Sequence, residues 1–167
     1  MSDTGTQLSK QVRLEPVTPE DREFLLRVYE CSREIELSMV QWDDATKRAF
    51  VEHQFDAQAN HYGSEYPDAR HFVIVLADSG EQVGRLWVSR TDSRIGILDV
   101  TVLSEYRRRG IGSTIVESLV DEAQRAGKSV EVYVETFNPS QEFFSHRNFI
   151  VESNDGINLK FVRNAKS

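Results

Sequence analysis

Three consecutive arginines, Arg107, Arg108 and Arg109, run directly into Gly110, Ile111 and Gly112, the densest chemistry in the chain. Upstream lies an apolar stretch over 95–103; downstream, Ile111, Ile115, Leu119 and Ala123 recur on one helical face. Apolar strand, glycine loop and helix start together make an anion site. Glycine lets the backbone approach a phosphate closely, and the first amides of a helix have no intrahelical acceptor, so they point at the anion. The arginines add positive charge at the same place. Two common phosphate loops are excluded. No Gly-Lys-Ser/Thr follows at Walker spacing, and the position for the third small residue of a dinucleotide fingerprint is Ile115.

Other side chains stand where they could move protons or bind a substrate. Asp99 lies inside the apolar stretch, a setting that makes a carboxylate a better proton acceptor. Strict alternation puts it on the face of Ile97 and Thr101, opposite Leu98, Val100 and Val102. Glu135, at the end of a second predicted strand, can reach the same cleft. Either acid could instead be structural and hydrogen-bonded. Gln54, Gln58 and Tyr62 recur at i, i+4 and share one face of a predicted helix, as a substrate wall or as the polar edge of a packed helix. Cys31 follows Phe24 and Val28 at helical spacing and reads as a core thiol.

The elements that must position these groups are legible from period and punctuation. Residues 11–17 alternate as a first strand. Thr18, Pro19, Glu20 and Asp21 form a helix start, with a capping threonine, proline at the first helical position and acids in the first turn; this helix is predicted to run to about Glu34. Asp43 and Asp44 cap a second helix with the stripe Val51, Phe55, Ala59 and Tyr62, ended by Gly63 and Pro67. Strands are predicted over 70–77, 83–90 and 95–103, a helix over 111–126 closed by Gly127, and a strand over 130–136. A helix over 139–147 and a hairpin of 149–153 and 158–162 complete the order. The expectation is one α/β (α+β) domain over 11–163, a mixed but mostly antiparallel sheet flanked by helices, after a disordered tail over 1–10.

The spacing Arg107-x-x-Gly110-x-Gly112, with a strand before and a helix after, resembles the pyrophosphate loop of the GNAT superfamily of N-acetyltransferases. The order of elements is similar to that family's across roughly residues 83–160. The resemblance implies an acetyl-CoA-dependent N-acetyltransferase acting on a primary amine of a small molecule or peptide. It assigns a backbone amide within Val100, Thr101 and Val102 to the thioester carbonyl. It assigns the loop of Arg107, Arg108, Arg109, Gly110, Ile111, Gly112 and Ser113 to the pyrophosphate, and Asn138 to a further cofactor contact beside its capping of the helix at Pro139. Glu34 and Glu36 border the side where acceptors enter, and Asp99 or Glu135 would take the ammonium proton. One position departs from the pattern. The family often has a tyrosine five residues before the phenylalanine matched by Phe149, and here that residue is Phe144, which has no proton to give. Tyr133 or Tyr106 could replace it, the thiolate could leave unaided, or the chain could be a non-catalytic acyl-CoA-binding sensor or partner module. Asn148 replaces the usual glycine, a change that a left-handed backbone tolerates.

Composition narrows the partners. With 39% hydrophobic and 28% charged residues over 167, this is the balance of a soluble globular protein of one domain. A net charge of −7 argues against nucleic acid and suits a cationic amine. The first ten residues lack the apolar core of a signal peptide, and no run approaches the roughly 20 apolar residues of a membrane span. A single cysteine excludes an internal disulfide and fits a reducing cytoplasm. His53, His61, His71 and His146 have no metal-ligand spacing, so no metal is expected. Edge strands and the terminal hairpin need cover, which a homodimer would provide.

Overall fold

The computed structural model describes residues 6–7, 11–136 and 138–165. These form an eight-stranded sheet in the order β1-β2-β3-β4-β5-β6-β8-β7. Its strands are β1 (Thr6–Gln7), β2 (Val12–Pro16), β3 (Arg70–Leu76), β4 (Gln82–Arg90), β5 (Arg94–Val102), β6 (Ser129–Glu135), β7 (Ile150–Asn154) and β8 (Asn158–Arg163). Every neighbouring pair is antiparallel except β5 and β6. A parallel pair needs a crossover, and helix α4 (Ile111–Ala126) supplies it. β1 pairs with Arg13 and Leu14 of β2 where the sequence predicts a disordered tail; the rest of 1–10 lies outside the described residues.

α4 forms because its apolar residues recur with helical period. Ile111, Ile115, Val116, Leu119, Val120 and Ala123 are all buried, and they pack with β-strand residues such as Leu86, Ile97 and Val132. Gly127 ends the helix at φ 69°, as its C-cap role requires. The opposite face of the sheet is covered by α1 (Arg22–Ser32) and α3 (Asp44–Glu65) through Leu25, Leu26, Tyr29, Val51 and Phe55, packed on Val73 and Val75. Asp43 caps α3 by accepting the Thr46 amide at 2.8 Å. The first helix stops at Ser32, earlier than predicted. A break at Arg33 (φ −111°, ψ 11°) starts a separate short helix α2 (Glu34–Ser38). The helix predicted over 139–147 is the shorter α5 (Gln141–Ser145).

Strict alternation fails in β5, with consequences for the site. Val88 pairs with Ile97 but Trp87 pairs with Asp99, leaving Leu98 as an extra residue, a β-bulge. Ile95 and Ile97 therefore face α4, and so do Val100 and Val102 beyond the bulge. Asp99 and Thr101 face α1 and α3. The predicted sharing of one face by Asp99 and Ile97 is thus overturned, because the bulge reverses which side each later residue takes.

On the α3 side of β3 and β4, the His71 ring stacks on Trp87 at 4.1 Å and 6°, with Nε2 buried and without a partner among the described residues. Burial first, then the Arg85 charge, pushes His71 from its usual 6.5 down to about 4. An unfolded chain would bind this proton near 6.5 while the folded one refuses it until near 4, so between those values the unfolded state holds more protons. Stability accordingly falls as the pH drops through that window, by up to ~1.4 kcal/mol per pH unit. Urea unfolding of His71→Phe should show a flatter decline between pH 6.5 and 4.5 than the parent; parallel declines would refute it.

Candidate active site

The site begins where the sheet comes apart. β5 and β6 are paired through four positions, from Arg94 with Ser129 to Ile97 with Val132, and no pairing continues beyond them among the described residues. Yet β5 runs on to Val102 and β6 to Glu135. The strands splay, and the outer edge of β5 from Leu98 onward presents peptide groups to a gap instead of to a partner. Its other edge is held tightly by β4. A Cβ on Gly84 would lie 2.3 Å from the Thr101 carbonyl oxygen, so only glycine permits this approach.

At the end of β5 the chain makes a 3-10 turn over Ser104–Tyr106 and enters the glycine loop. Arg108 (φ 63°) and Gly110 (φ 78°) are both left-handed. This conformation leaves the amides of residues 108–113 without an acceptor among the described residues; the first helical bond is from Thr114 to the Gly110 carbonyl. Gly112 leaves its surface bare: a Cβ there would have the Phe143 ring as its nearest neighbour, at 3.9 Å. The three arginines are exposed but not all aimed at the loop. Arg107 donates to the Val102 carbonyl at 3.2 Å, and Arg109 lies over the Tyr106 ring at 5.1 Å. The free backbone amides therefore line the loop, with the arginine charges beside them. Arg147, for which the sequence predicts no role, donates to Ser113 Oγ and stacks on Phe143, tying α5 to the start of α4.

Asp99 lies in other surroundings than its apolar neighbours imply. Its Oδ2 accepts from Arg85 at 2.5 Å and its Oδ1 from the Thr101 hydroxyl at 2.8 Å. Arg85 is 1% exposed and Asp99 18%, so this is a buried ion pair. Arg85 also donates to Gln58 at 2.5 Å and lies within 6 Å of the Tyr29 and Phe55 rings, while its Nη1 is buried without a partner among the described residues. A charged residue in the middle of an otherwise apolar strand, Val83 to Val88, was the signal available in the sequence.

The polar row of α3, expected as a substrate wall or as the polar edge of a packed helix, meets the sheet through two of its members. Gln58 turns inward to Arg85, and the Tyr62 hydroxyl donates to the Leu98 carbonyl at 2.9 Å. Burial first, then the charge of Asp99, pushes Tyr62 up to about 12, so it stays a protonated donor. Gln54, one turn earlier, is half-buried.

A second acidic group lies across the gap. Arg33 Nη1 donates to Glu36 at 2.9 Å and to both oxygens of Glu135, at 3.0 and 3.2 Å. Burial opposes the Arg33 charge, but Tyr29, Glu36 and Glu135 outweigh it and hold its pKa above the ordinary value. Glu34 is exposed on the same short helix. Asn138 Oδ1 accepts from the Ser140 amide at 2.8 Å, a local turn and not the expected helix cap, because α5 begins only at Gln141 with Ser140 as its N-cap. Phe144 is 3% exposed and packs on Phe143, Phe149 and Phe161, so it serves the core. Asn148 has φ 66°, the left-handed backbone expected of it. No group of three His, Cys, Asp or Glu among the described residues could hold a metal, and no helix there is long and apolar enough to cross a membrane.

Known proteins share this architecture. The model of the Acetyltransferase (GNAT) family matches residues 34–149. No curated protein sequence matches significantly. Among solved structures, PaiA N-acetyltransferase from Thermoplasma acidophilum, in complex with coenzyme A, is similar at TM-score 0.65 and 16% identity, over 92% of this chain and 98% of that one. An acetyltransferase from Thermus thermophilus gives 0.65 and 22%, over 92% and 96%. RimL, a ribosomal L7/L12 alpha-N-protein acetyltransferase in complex with coenzyme A, gives 0.63 and 14%, over 97% and 98%. A splayed parallel pair, a glycine loop of free amides and a family match over more than two thirds of its length converge: the chain belongs to the acetyltransferase (GNAT) family, whose acyl donor is acetyl-CoA.

Proposed function

We propose that this protein transfers the acetyl group of acetyl-CoA to a primary amine of a small molecule or peptide. The observation that carries the reading is the run of amides at 108–113, free of acceptors, at the end of a strand that has parted from its neighbour. Residues 108–113 would hold the pyrophosphate, with Arg107 and Arg109 lending charge, and Asn138 would contact the cofactor from the far side of the gap. When bound, acetyl-CoA supplies an acyl carbon activated by its thioester. An amide within Val100–Val102 receives the thioester oxygen as it gains charge.

Of the two acids, Glu135 is the better proton acceptor by geometry. The oxygens of Asp99 take two separate donors within the sheet, from Arg85 and Thr101, whereas those of Glu135, 32% exposed at the edge of the gap, share a single arginine nitrogen that also serves Glu36. The ammonium would give one proton to Glu135, the freed amine pair would form the C–N bond as the C–S electron pair leaves on sulfur, and the second proton of the acylated nitrogen would pass to the departing thiolate, leaving the neutral amide and free CoA thiol. A thiol of ordinary pKa, about 8.5, can depart as thiolate without a protein acid, so Phe144 does not forbid the reaction. Glu34 and Glu36 make the acceptor side anionic and favour a cation. The core position of Phe144 also motivates a second reading, a non-catalytic acyl-CoA-binding module, which predicts saturable binding and no turnover.

Release of free CoA over an amine panel decides between the two: turnover removes the binding-module reading, and binding without turnover on any amine removes the transferase. Glu135→Gln is expected to lower kcat/KM by roughly 10²–10⁴, with partial recovery at high pH where more amine is neutral. Near-normal turnover at neutral pH would exclude Glu135 as the base. Gly112→Val should fold, since its Cβ meets only a ring at 3.9 Å, yet its side chain would stand where the pyrophosphate must approach. Calorimetry is expected to show acetyl-CoA binding lost; unchanged affinity in the folded variant would refute the loop assignment.

A further inference from the structure

Two groups of β5 are held from α3, the Leu98 carbonyl directly and the Asp99 carboxylate through Arg85, and both lie at the bulge. Leu98 is the extra residue between the Ile97 and Asp99 pairs, and it is also the first residue past the end of β5–β6 pairing. A bulged residue at an unpaired edge has lost ladder bonds that would otherwise fix its peptide plane. The Tyr62 hydroxyl supplies one from outside the sheet, at 2.9 Å to the Leu98 carbonyl. The ring is itself immobilised edge-on against Trp87 at 4.9 Å and against Tyr66 at 6.2 Å. One turn earlier on α3, Gln58 holds Arg85, which holds Asp99, the next residue of β5.

We propose that Tyr62 is a positioning residue for acetyl transfer: through the Leu98 carbonyl it sets the orientation of the peptide groups of residues 98–102, so that the amide meeting the thioester oxygen is pre-aimed. It touches neither the acyl donor nor the amine. The inference rests on the transferase reading above, because it needs an acetyl thioester beside β5. It also explains why a half-buried tyrosine spends its hydroxyl on a backbone carbonyl, and why a lysine-like flexible donor would not serve: the aromatic ring is rigid and the hydroxyl stays protonated at any working pH.

Isotope-edited infrared spectroscopy of acetyl-CoA labelled at the acetyl carbonyl, bound to the protein, reads this directly, since a hydrogen bond to a carbonyl lowers its stretching frequency. Bound to the parent protein, the label should absorb below its frequency in water. In Tyr62→Phe the band should move back up and broaden, kcat should fall on the order of 10-fold, and acetyl-CoA affinity by calorimetry and the KM for amine should stay within about twofold. Gln58→Leu, which releases Arg85 without touching Tyr62, should give the same split with smaller amplitude. A band unmoved in Tyr62→Phe, with only thermal stability reduced, overturns the proposal in favour of a structural hydroxyl. A raised amine KM with kcat and band unchanged overturns it in favour of a substrate wall. Failure of the parent protein to bind acetyl-CoA would instead overturn the transferase reading on which it rests.

Discussion

Among the described residues the parallel ladder between β5 and β6 is only four residue pairs long, and it joins the antiparallel meander of β1 to β5 to the terminal unit of β6, β8 and β7. A longer ladder would close the gap and bury the amides of β5 in pairing. A shorter one would leave α4 to hold the halves alone. The helix that makes the crossover is also the helix whose first amides lack an acceptor among the described residues, so the same connection both permits the cleft and leaves those amides at its end. The apolar stripe of α4 packs on strands of both halves, which keeps them in one fixed relation while their upper ends diverge.

Opening a sheet this way exposes backbone that would normally be held by a ladder, and the fold compensates on the other face. A buried arginine, a carboxylate, an amide and a phenol, Arg85, Asp99, Gln58 and Tyr62, link α3 to the strand beside the gap. Burying an ion pair contributes little net stability, but removing one partner typically costs roughly 3–5 kcal/mol because the other charge is stranded. Such a network is better at enforcing one arrangement than at lowering energy. That suits a strand whose peptide groups must be aimed and not merely present.

Charge is divided along the cleft. The protein carries a net −7, yet its only run of three basic residues stands at the glycine loop, while Glu36 and Glu135 meet on Arg33 across the gap. The positive and negative ends of the cleft thus present opposite fields.

Much of this was written in local sequence. The helical stripe of α4, the glycines at its start, the turn residues between strands and the left-handed Asn148 follow from period and backbone preference, which neighbours far away in the chain cannot much alter. The anion loop was legible for the same reason: its elements are contiguous. The surroundings of Asp99 were not. One extra residue at Leu98 reverses the side on which Asp99 stands, and its neighbour there, Arg85, comes from another strand. Gln58 and Tyr62 share a helical face in any reading, but whether that face meets solvent or sheet depends on how α3 packs. Arg33 joins Glu36 to Glu135 across 102 residues of chain. Sequence determined the elements and the glycine loop at the start of α4, whose bonds are local; only the tertiary structure decided which acid is buried in an ion pair and which stands at the gap, because burial and charge partners are set by residues distant in sequence and adjacent in space.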